Sequence, residues 1–141
     1  MTDTVEFELV SPQRLLKSEP VEMVVVPGAE GDFGVLPGHS LLIATVRPGV
    51  INIHRDGEVA ERIFVAGGFA EVSPERCTVL AEEAVPVNDI DRGEAERRLE
   101  DAKAALAKAE ENKSEDDGDG TAMAGAEREI KAAEAMLAAI Q

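Results

Sequence analysis

EGDFGVLPGH, residues 30–39, and VAGGFAEVSPERCTVLAEEA, residues 65–84, are the two most informative stretches of this chain. Both stretches are β-type sequence interrupted by glycine. The first contains three glycines and one proline within ten residues. Because glycine tolerates a positive φ, this composition predicts tight turns between short strands.

The same pattern extends outward over residues 1–87. Hydrophobic and polar residues alternate in VEFEL and INIH, and a continuous VVV run is typical of a buried strand. Asp56-Gly57 between two such runs predicts a type I′ hairpin turn, which would place Arg55 opposite Glu58. Further turn signals recur about every ten residues, so this segment is predicted to fold as a small antiparallel β-sandwich.

A helical pattern begins after Val87. Asn88 or Asp89 is predicted to cap the first helix, because its side-chain oxygen can accept a hydrogen bond from the first turn. Apolar residues then recur at spacings of four and three, first at Ala95, Leu99, Ala102, Leu106 and Ala109, and again at Ala126, Ile130, Ala133, Leu137 and Ile140. Residues 88–141 are therefore predicted to form an antiparallel two-helix hairpin with an acidic loop at 112–121. The whole chain is an α+β protein.

The composition excludes several classes of partner. The chain has 29 acidic and 14 basic residues and a formal net charge of -15, which repels nucleic acid and anionic lipid and favours a protein partner. No apolar run approaches the ~18 residues of a membrane helix, and no signal peptide is visible. We therefore expect association with a membrane only through a partner.

The sequence contains no pattern that indicates catalysis. It lacks the ligand spacing of a zinc site, a GxSxG motif and a phosphate-binding loop. Its single cysteine, Cys77, lies in an apolar strand and is interpreted as a small buried side chain rather than a reactive thiol. We therefore predict no catalytic residue, no metal site and no cofactor.

One acidic segment is similar to the first half of an EF-hand calcium loop. Glu115, Asp117 and Asp119 occupy alternate positions before Gly120. The glutamate that such a loop requires at its twelfth position is replaced by Ala126. A solvated acidic turn is therefore favoured over a calcium site.

Four segments occur in the order found in one known family: FELVSPQRLL, EGDFGVLPGH, AGGFAEVSP and the helical hairpin. On these residues the chain resembles the epsilon subunit of the F-type ATP synthase, which is called delta in mitochondria. The resemblance implies a non-catalytic rotor subunit that couples the gamma shaft to the c-ring during proton-driven ATP synthesis. It places the sandwich against the shaft and the ring, with interface positions at Ser11, Asp32 and His39.

The resemblance also implies a regulatory role for the hairpin, which in this family can reach the alpha and beta subunits. Many bacterial members carry an ATP-binding motif, [I/L]DxxRA, at the start of the first helix. Here Ile90, Asp91 and Ala95 match the motif, but Glu94 replaces its arginine. Since a carboxylate repels phosphate, we expect little or no ATP binding.

The family assignment further implies peripheral attachment at the cytoplasmic face of the bacterial inner membrane. Two alternatives stay open from the sequence alone. The chain could be a free-standing acidic adaptor with a calcium-binding loop, which calorimetry with calcium would reveal. It could also be a nucleotide sensor within the same complex, which titration with ATP would reveal.

Overall fold

The computed structural model describes residues 3–111 and 121–141. The chain divides into two compact units, Met1–Asp89 and Ile90–Gln141. The acidic loop predicted at 112–121 lies outside the described residues except for Thr121. Residues 115, 117, 119 and 120, which are similar to part of a calcium loop, also lie outside the described residues.

The first unit is a β-sandwich, as the sequence predicts. Its strands are β1 (Val5–Val10), β2 (Leu15–Val21), β3 (Met23–Gly28), β4 (Gly31–Val35), β5 (Leu42–Val46), β6 (Gly49–Arg55), β7 (Glu58–Val65), β8 (Gly68–Val72), β9 (Arg76–Ala81) and β10 (Ala84–Pro86). Hydrogen-bonded neighbours follow the order β10-β7-β6-β3-β5-β8-β9-β1-β2, and β4 pairs with β3. The pairs are antiparallel except for β1 with β9. The long connection that a parallel pair requires is supplied here by the intervening strands.

Alternation along each strand builds the core. In β1, Val5, Phe7 and Leu9 are buried, while Glu6 and Glu8 between them are only partly covered. The other buried members of the core cluster are Val21, Val24, Val26, Val35, Val46, Ile51, Ile53, Ile63, Val65, Ala70, Val72, Cys77, Val79 and Ala81. Their burial removes apolar surface from water and is the main stabilising contribution to this unit.

The interpretation of Cys77 as a buried side chain is confirmed. The residue is fully buried in β9, and this burial raises the pKa of its thiol to about 12. A thiol with so high a pKa stays protonated at neutral pH and is a poor nucleophile.

A cluster of four charged side chains covers the core where β2 approaches β6 and β7. Lys17 Nζ lies 2.9 Å from Glu61 Oε2 and 3.3 Å from Glu19 Oε1. Arg55 pairs with the same two glutamates, at 3.0 Å from Glu61 Oε2. Because each cation contacts both carboxylates, the four half-buried charges neutralise one another. The sequence analysis did not predict this cluster.

The predicted hairpin turn at Asp56-Gly57 is confirmed. Both residues have positive φ, 55° and 76°, as a type I′ turn requires. Arg55 lies opposite Glu58 in the register of β6 and β7. The local sequence thus predicts this turn, and a non-local hydrogen bond from Gly57 N–H to Glu22 Oε1 at 3.1 Å supports it.

The second unit consists of two helices, α1 (Arg92–Glu111) and α2 (Thr121–Ala139). The prediction that Asn88 or Asp89 caps α1 is wrong. Both residues lie in a 3₁₀ turn at Val87–Asp89, which directly follows β10. The capping residue is Asp91, whose Oδ1 accepts hydrogen bonds from the backbone N–H of Gly93 at 2.8 Å and of Glu94 at 3.3 Å. All three side chains are good caps, so the end of the preceding 3₁₀ turn decides where the helix begins.

The two helices run antiparallel. Near one end Arg92 donates to the carbonyl of Ile140 at 3.5 Å, and farther along Arg98 pairs with Glu129. The buried positions are mostly alanines: Ala95, Ala102 and Ala109 in α1, and Ala126, Ala132, Ala133, Met136 and Ala139 in α2. The larger side chains of the predicted repeat, Leu99, Leu106, Ile130, Leu137 and Ile140, are only half-buried. Alanine removes little apolar area from water, so this unit has a weaker hydrophobic contribution than the sandwich.

Gly68 is the position where the sandwich tolerates a side chain least. Its φ is 147°, and a Cβ there would lie 1.9 Å from the carbonyl oxygen of Leu80. We expect Gly68→Ala to lower the free energy of unfolding by about 3 kcal/mol or more, because strain and a main-chain clash add. Urea denaturation of the full chain measures this change.

Gly34→Ala is the matched control. A Cβ at Gly34 would meet only Met23 Sδ at 3.5 Å, an ordinary contact. We expect this variant to change the free energy of unfolding by less than about 0.5 kcal/mol. Equal destabilisation by both variants would contradict the assigned close approach of β8 to β9.

Candidate functional site

The register of the strands assigns the three predicted interface residues to two opposite ends of the sandwich. Three pairings link the ends of β3, β5, β8 and β9: Gly28 with Val46, Val46 with Gly68, and Gly68 with Ala81. These strand ends therefore lie on the same rim of the sandwich. We call this the Asp32 rim; it comprises the turns at residues 11–14, 29–30, 47–48, 66–67 and 82–83. The opposite, His39 rim comprises the loop at 36–41 and the turns at 56–57 and 73–75.

Ser11 and Asp32 therefore lie on one rim, and His39 lies on the other. Asp32 is near the start of β4 and His39 follows its end. About 10 Å of extended strand separates Asp32 from Val35. The structure thus brings two of the three predicted residues to the same rim and separates the third from them.

Asp32 is held in an ion pair with Arg47. Its Oδ1 accepts a hydrogen bond from Arg47 Nη2 at 2.6 Å, and its side chain is 59% exposed. Arg47 Nη1 also donates to the carbonyl of Gly28 at 2.5 Å. The guanidinium therefore joins the turn after β5 to the turn between β3 and β4.

Ser11 closes the turn between β1 and β2. Its backbone N–H donates to the Arg14 carbonyl at 2.9 Å, and its hydroxyl donates to the same oxygen at 3.3 Å. Ser11 also lines an open groove together with Phe69 and Leu80. It thus lies where the Asp32 rim meets the outer surface of β8 and β9.

His39 belongs to a loop that is fastened to the neighbouring turn. Gly38 N–H donates to the Pro74 carbonyl at 2.8 Å, and His39 N–H donates to the Leu36 carbonyl at 3.2 Å. The ring Nδ1 lies 2.7 Å from the Ser40 carbonyl oxygen, so this nitrogen carries a proton in order to donate. These contacts hold His39 in an ordered loop at the His39 rim, and its predicted interface role stays a prediction.

An apolar surface of the sandwich was not predicted from the sequence. Five large apolar side chains are exposed on one side of the strands β5, β8, β9 and β2 and the loop before β5. This outer apolar face comprises Leu15 (56% exposed), Leu41 (79%), Ile43 (78%), Phe69 (57%) and Leu80 (51%).

Strand pairing brings three members of this face together, whereas Ile43 pairs with the exposed Glu71. Phe69 lies directly opposite Leu80, and Leu80 lies beside Val10, which pairs with Leu15. Each is at an outward position, because the inward positions of β8 and β9 are filled by buried residues such as Ala70 and Val79. A contiguous apolar patch on the surface of so acidic a chain is typical of a protein–protein interface. Outward Phe69 in GGFAEV and Leu80 in CTVLA were the available sequence signals.

The residues of the partial ATP motif form the beginning of α1 and its cap. The Asp91 carboxylate caps the helix, and Ala95 N–H donates to the Asp91 carbonyl at 3.0 Å. Ile90 is half-buried, Glu94 is exposed and Ala95 is buried. The motif therefore starts the helix. Its remaining exposed charged side chain, besides Asp91 and Arg92, is that of Glu94, which is an acid.

Among residues 3–111 and 121–141, no three metal-binding side chains come together in a group that could hold an ion. In the same described part of the chain, no helix is long and apolar enough to cross a membrane. An apolar face bordered by a charged rim is instead the arrangement of a protein that docks onto other proteins.

The chain belongs to the delta/epsilon family of ATP synthase subunits, which confirms the resemblance found in its motifs. Residues 4–87 match the family described as ATP synthase, Delta/Epsilon chain, beta-sandwich domain. The ATP synthase epsilon chain of Paramagnetospirillum magneticum is 53% identical over 140 residues, which cover 99% of both chains. That of Rhodospirillum rubrum is 60% identical over 102 residues, which cover 72% of this chain and 76% of the relative.

Solved structures show the same fold. A chain in the mitochondrial ATP synthase of Euglena gracilis, in an assembly of OSCP, F1 and c-ring, matches with a TM-score of 0.77 and 25% identity over 99% of this chain and 82% of that chain. A chain in the central stalk and c-ring of the Tetrahymena thermophila enzyme matches with a TM-score of 0.60 and 12% identity over 97% and 96% of the two chains. The second match supports the fold alone.

Proposed function

We propose that the chain is a non-catalytic rotor subunit in the central stalk of a proton-translocating ATP synthase. In this role it joins the gamma shaft to the c-ring and transmits rotation between them. The outer apolar face is the observation that carries this proposal, because it gives the sandwich a large surface suited to a permanent partner. The Paramagnetospirillum magneticum relative, which matches over 99% of both chains, is an ATP synthase epsilon chain, and this favours a rotor subunit over a free-standing adaptor.

A coupling subunit needs two separate docking surfaces, and the sandwich has two of different chemistry. We assign the outer apolar face to the gamma shaft, since apolar side chains there lose water on contact with another protein. We assign the Asp32 rim, with its carboxylate and guanidinium, to the polar loops of the c-ring. Ser11 lies where the two surfaces meet, and His39 lies at the far rim, away from the ring.

Electrostatics favour the same assignment. The chain has a formal net charge of -15, and the family resemblance implies basic side chains on the ring loops. Opposite charge steers association and selects the partner, even where each exposed ion pair adds little affinity. Attachment to the membrane would then be peripheral, through the c-ring, at the cytoplasmic face of the bacterial inner membrane.

The helical unit is proposed to be a weak regulatory arm. In α2 the cations Arg128 and Lys131 are outnumbered by Glu127, Glu129 and Glu134, and Glu129 already pairs with Arg98. A helix of this charge has no long-range attraction to an acidic surface on a beta subunit. Because Asp91 caps α1 and Glu94 is an acid, we also propose that ATP binds the arm weakly or not at all.

The apolar face is tested by Phe69→Ser combined with Leu80→Ser. We expect these changes to weaken binding to isolated gamma by about tenfold to a hundredfold, because exposed aromatic and aliphatic anchors supply much of an interface's affinity. Isothermal titration calorimetry measures the change. Since both side chains are largely exposed in the free chain, its circular dichroism should not change.

Val59→Ser is the matched control, because Val59 is an exposed β-strand side chain (48%) outside the outer apolar face. It should bind gamma as the unaltered chain does. Unaltered binding by the Phe69/Leu80 variant would show that this face is not the shaft contact.

The arm is tested by deleting residues 88–141 and reconstituting the complex. We expect the rate of ATP hydrolysis to rise by less than tenfold, which corresponds to less than about 1.4 kcal/mol of inhibition. A steady-state hydrolysis assay measures the rate. A larger rise would identify the arm as a strong inhibitor and would contradict the argument from the charge of α2.

A further inference from the structure

We propose that Arg47 is a positioning residue of the Asp32 rim, which holds Asp32 and the β3–β4 turn in the geometry that docks onto the polar partner. This inference rests on the proposed function, because it concerns the rim assigned to the c-ring. It goes beyond that function by identifying the residue that prepares the docking carboxylate. It also defines the partner chemistry as a hydrogen-bond donor or cation on a polar loop.

Arg47 contacts the β3–β4 hairpin on both sides of its turn. Gly28, the last residue of β3, accepts from Nη1 at 2.5 Å, and Asp32, the second residue of β4, accepts from Nη2 at 2.6 Å. Only a planar guanidinium presents two parallel donors in this way from one side chain. The following residue, Pro48, restricts the backbone from which the side chain projects.

These contacts prepare Asp32 for binding. Its side chain is 59% exposed, so without the ion pair it would be free to adopt several rotamers, and a partner would have to order it. A side chain that is already ordered binds with a smaller entropic loss. The guanidinium engages Oδ1, so the carboxylate keeps acceptor capacity for a partner's donor.

The pair also determines what kind of partner is selected. Asp32 and Arg47 together carry no net charge, so they discriminate by the position of donors and acceptors more than by overall charge. The Arg47 side chain is itself 43% exposed. A loop that offers a Lys, Arg or backbone N–H donor to Asp32 is therefore the partner that fits this rim.

The hairpin does not depend on the Arg47 side chain in order to fold. The main chain fastens the same two turns, because Arg47 N–H donates to the Pro27 carbonyl at 2.9 Å and Ala29 N–H donates to the Thr45 carbonyl at 2.8 Å. Removing the guanidinium should therefore leave the strand pairing intact. This separation of roles makes the proposal testable by substitution.

The test is a double-mutant cycle with Asp32→Ala, Arg47→Ala and both changes together. Each full-length variant is added back to ATP synthase in membrane vesicles from which this chain has been removed, and its dissociation constant is measured. We expect each single change to weaken association by about threefold to fivefold. The double variant should lose no more than either single variant, because Arg47 acts through Asp32.

Thermal unfolding of the free variants distinguishes positioning from a merely structural role. We expect the midpoints of all three variants to stay close to that of the unaltered chain. Arg62→Ala, which removes an exposed arginine on β7, should change neither the midpoint nor association. Arg47→Gln, which keeps a shorter, uncharged polar side chain, replaces Arg47→Ala in the cycle if the alanine variant proves unstable.

Three results would overturn the inference. Losses that multiply in the double variant would mean that Arg47 acts independently of Asp32. A loss with Asp32→Ala but none with Arg47→Ala would mean that the carboxylate needs no positioning. No loss in either variant would exclude this rim, while the proposed function would stand if the Phe69/Leu80 variant still failed to bind gamma.

Discussion

The two-residue period of the β-strands determines which side chains of the sandwich are buried and which are exposed. Side chains at alternate positions must fill the core between the layers, as Val5, Phe7 and Leu9 do in β1. The positions between them face solvent and are not selected by core packing. Large apolar residues at those outward positions, such as Phe69 and Leu80, therefore need another explanation. The explanation that we propose is contact with a partner subunit.

The same constraint explains why the sandwich can serve as a rigid coupling element. Its core is continuous from β1 through β9, and the approach of β8 to β9 at Gly68 leaves no room for adjustment. Close packing of this kind transmits displacement with little internal change. The helical unit is different, because alanines fill most of its buried positions. A unit with less buried apolar area opens at a lower free energy, which suits a mobile arm better than a rigid coupling element.

Local signals in the sequence were sufficient for much of the fold. Asp56-Gly57 specifies its turn through the φ values that its two residues tolerate, and the three-and-four repeat of alanine and leucine specifies two helices. The start of α1 could not be predicted in this way. Asn88, Asp89 and Asp91 have similar capping preferences, and the 3₁₀ turn after β10 selects among them.

The candidate site was harder to predict than the fold because it depends on register. Asp32 and His39 are close in sequence, but the strand β4 runs between them and places them at opposite rims. Phe69 and Leu80 are distant in sequence, but pairing of β8 with β9 places them side by side. Arg47 had no local signal at all, because its partners Gly28 and Asp32 become neighbours only when β3 pairs with β5.

A structure of the assembled complex that resolves this subunit together with gamma and the c-ring would test these assignments. The quantity to measure is the exposed fraction of each side chain of the outer apolar face and of the Asp32 rim, before and after assembly. We expect Phe69 and Leu80 to become buried against gamma, and Asp32 to come within hydrogen-bond distance of a donor on a ring loop. Phe69 and Leu80 remaining exposed to solvent in the complex would contradict it.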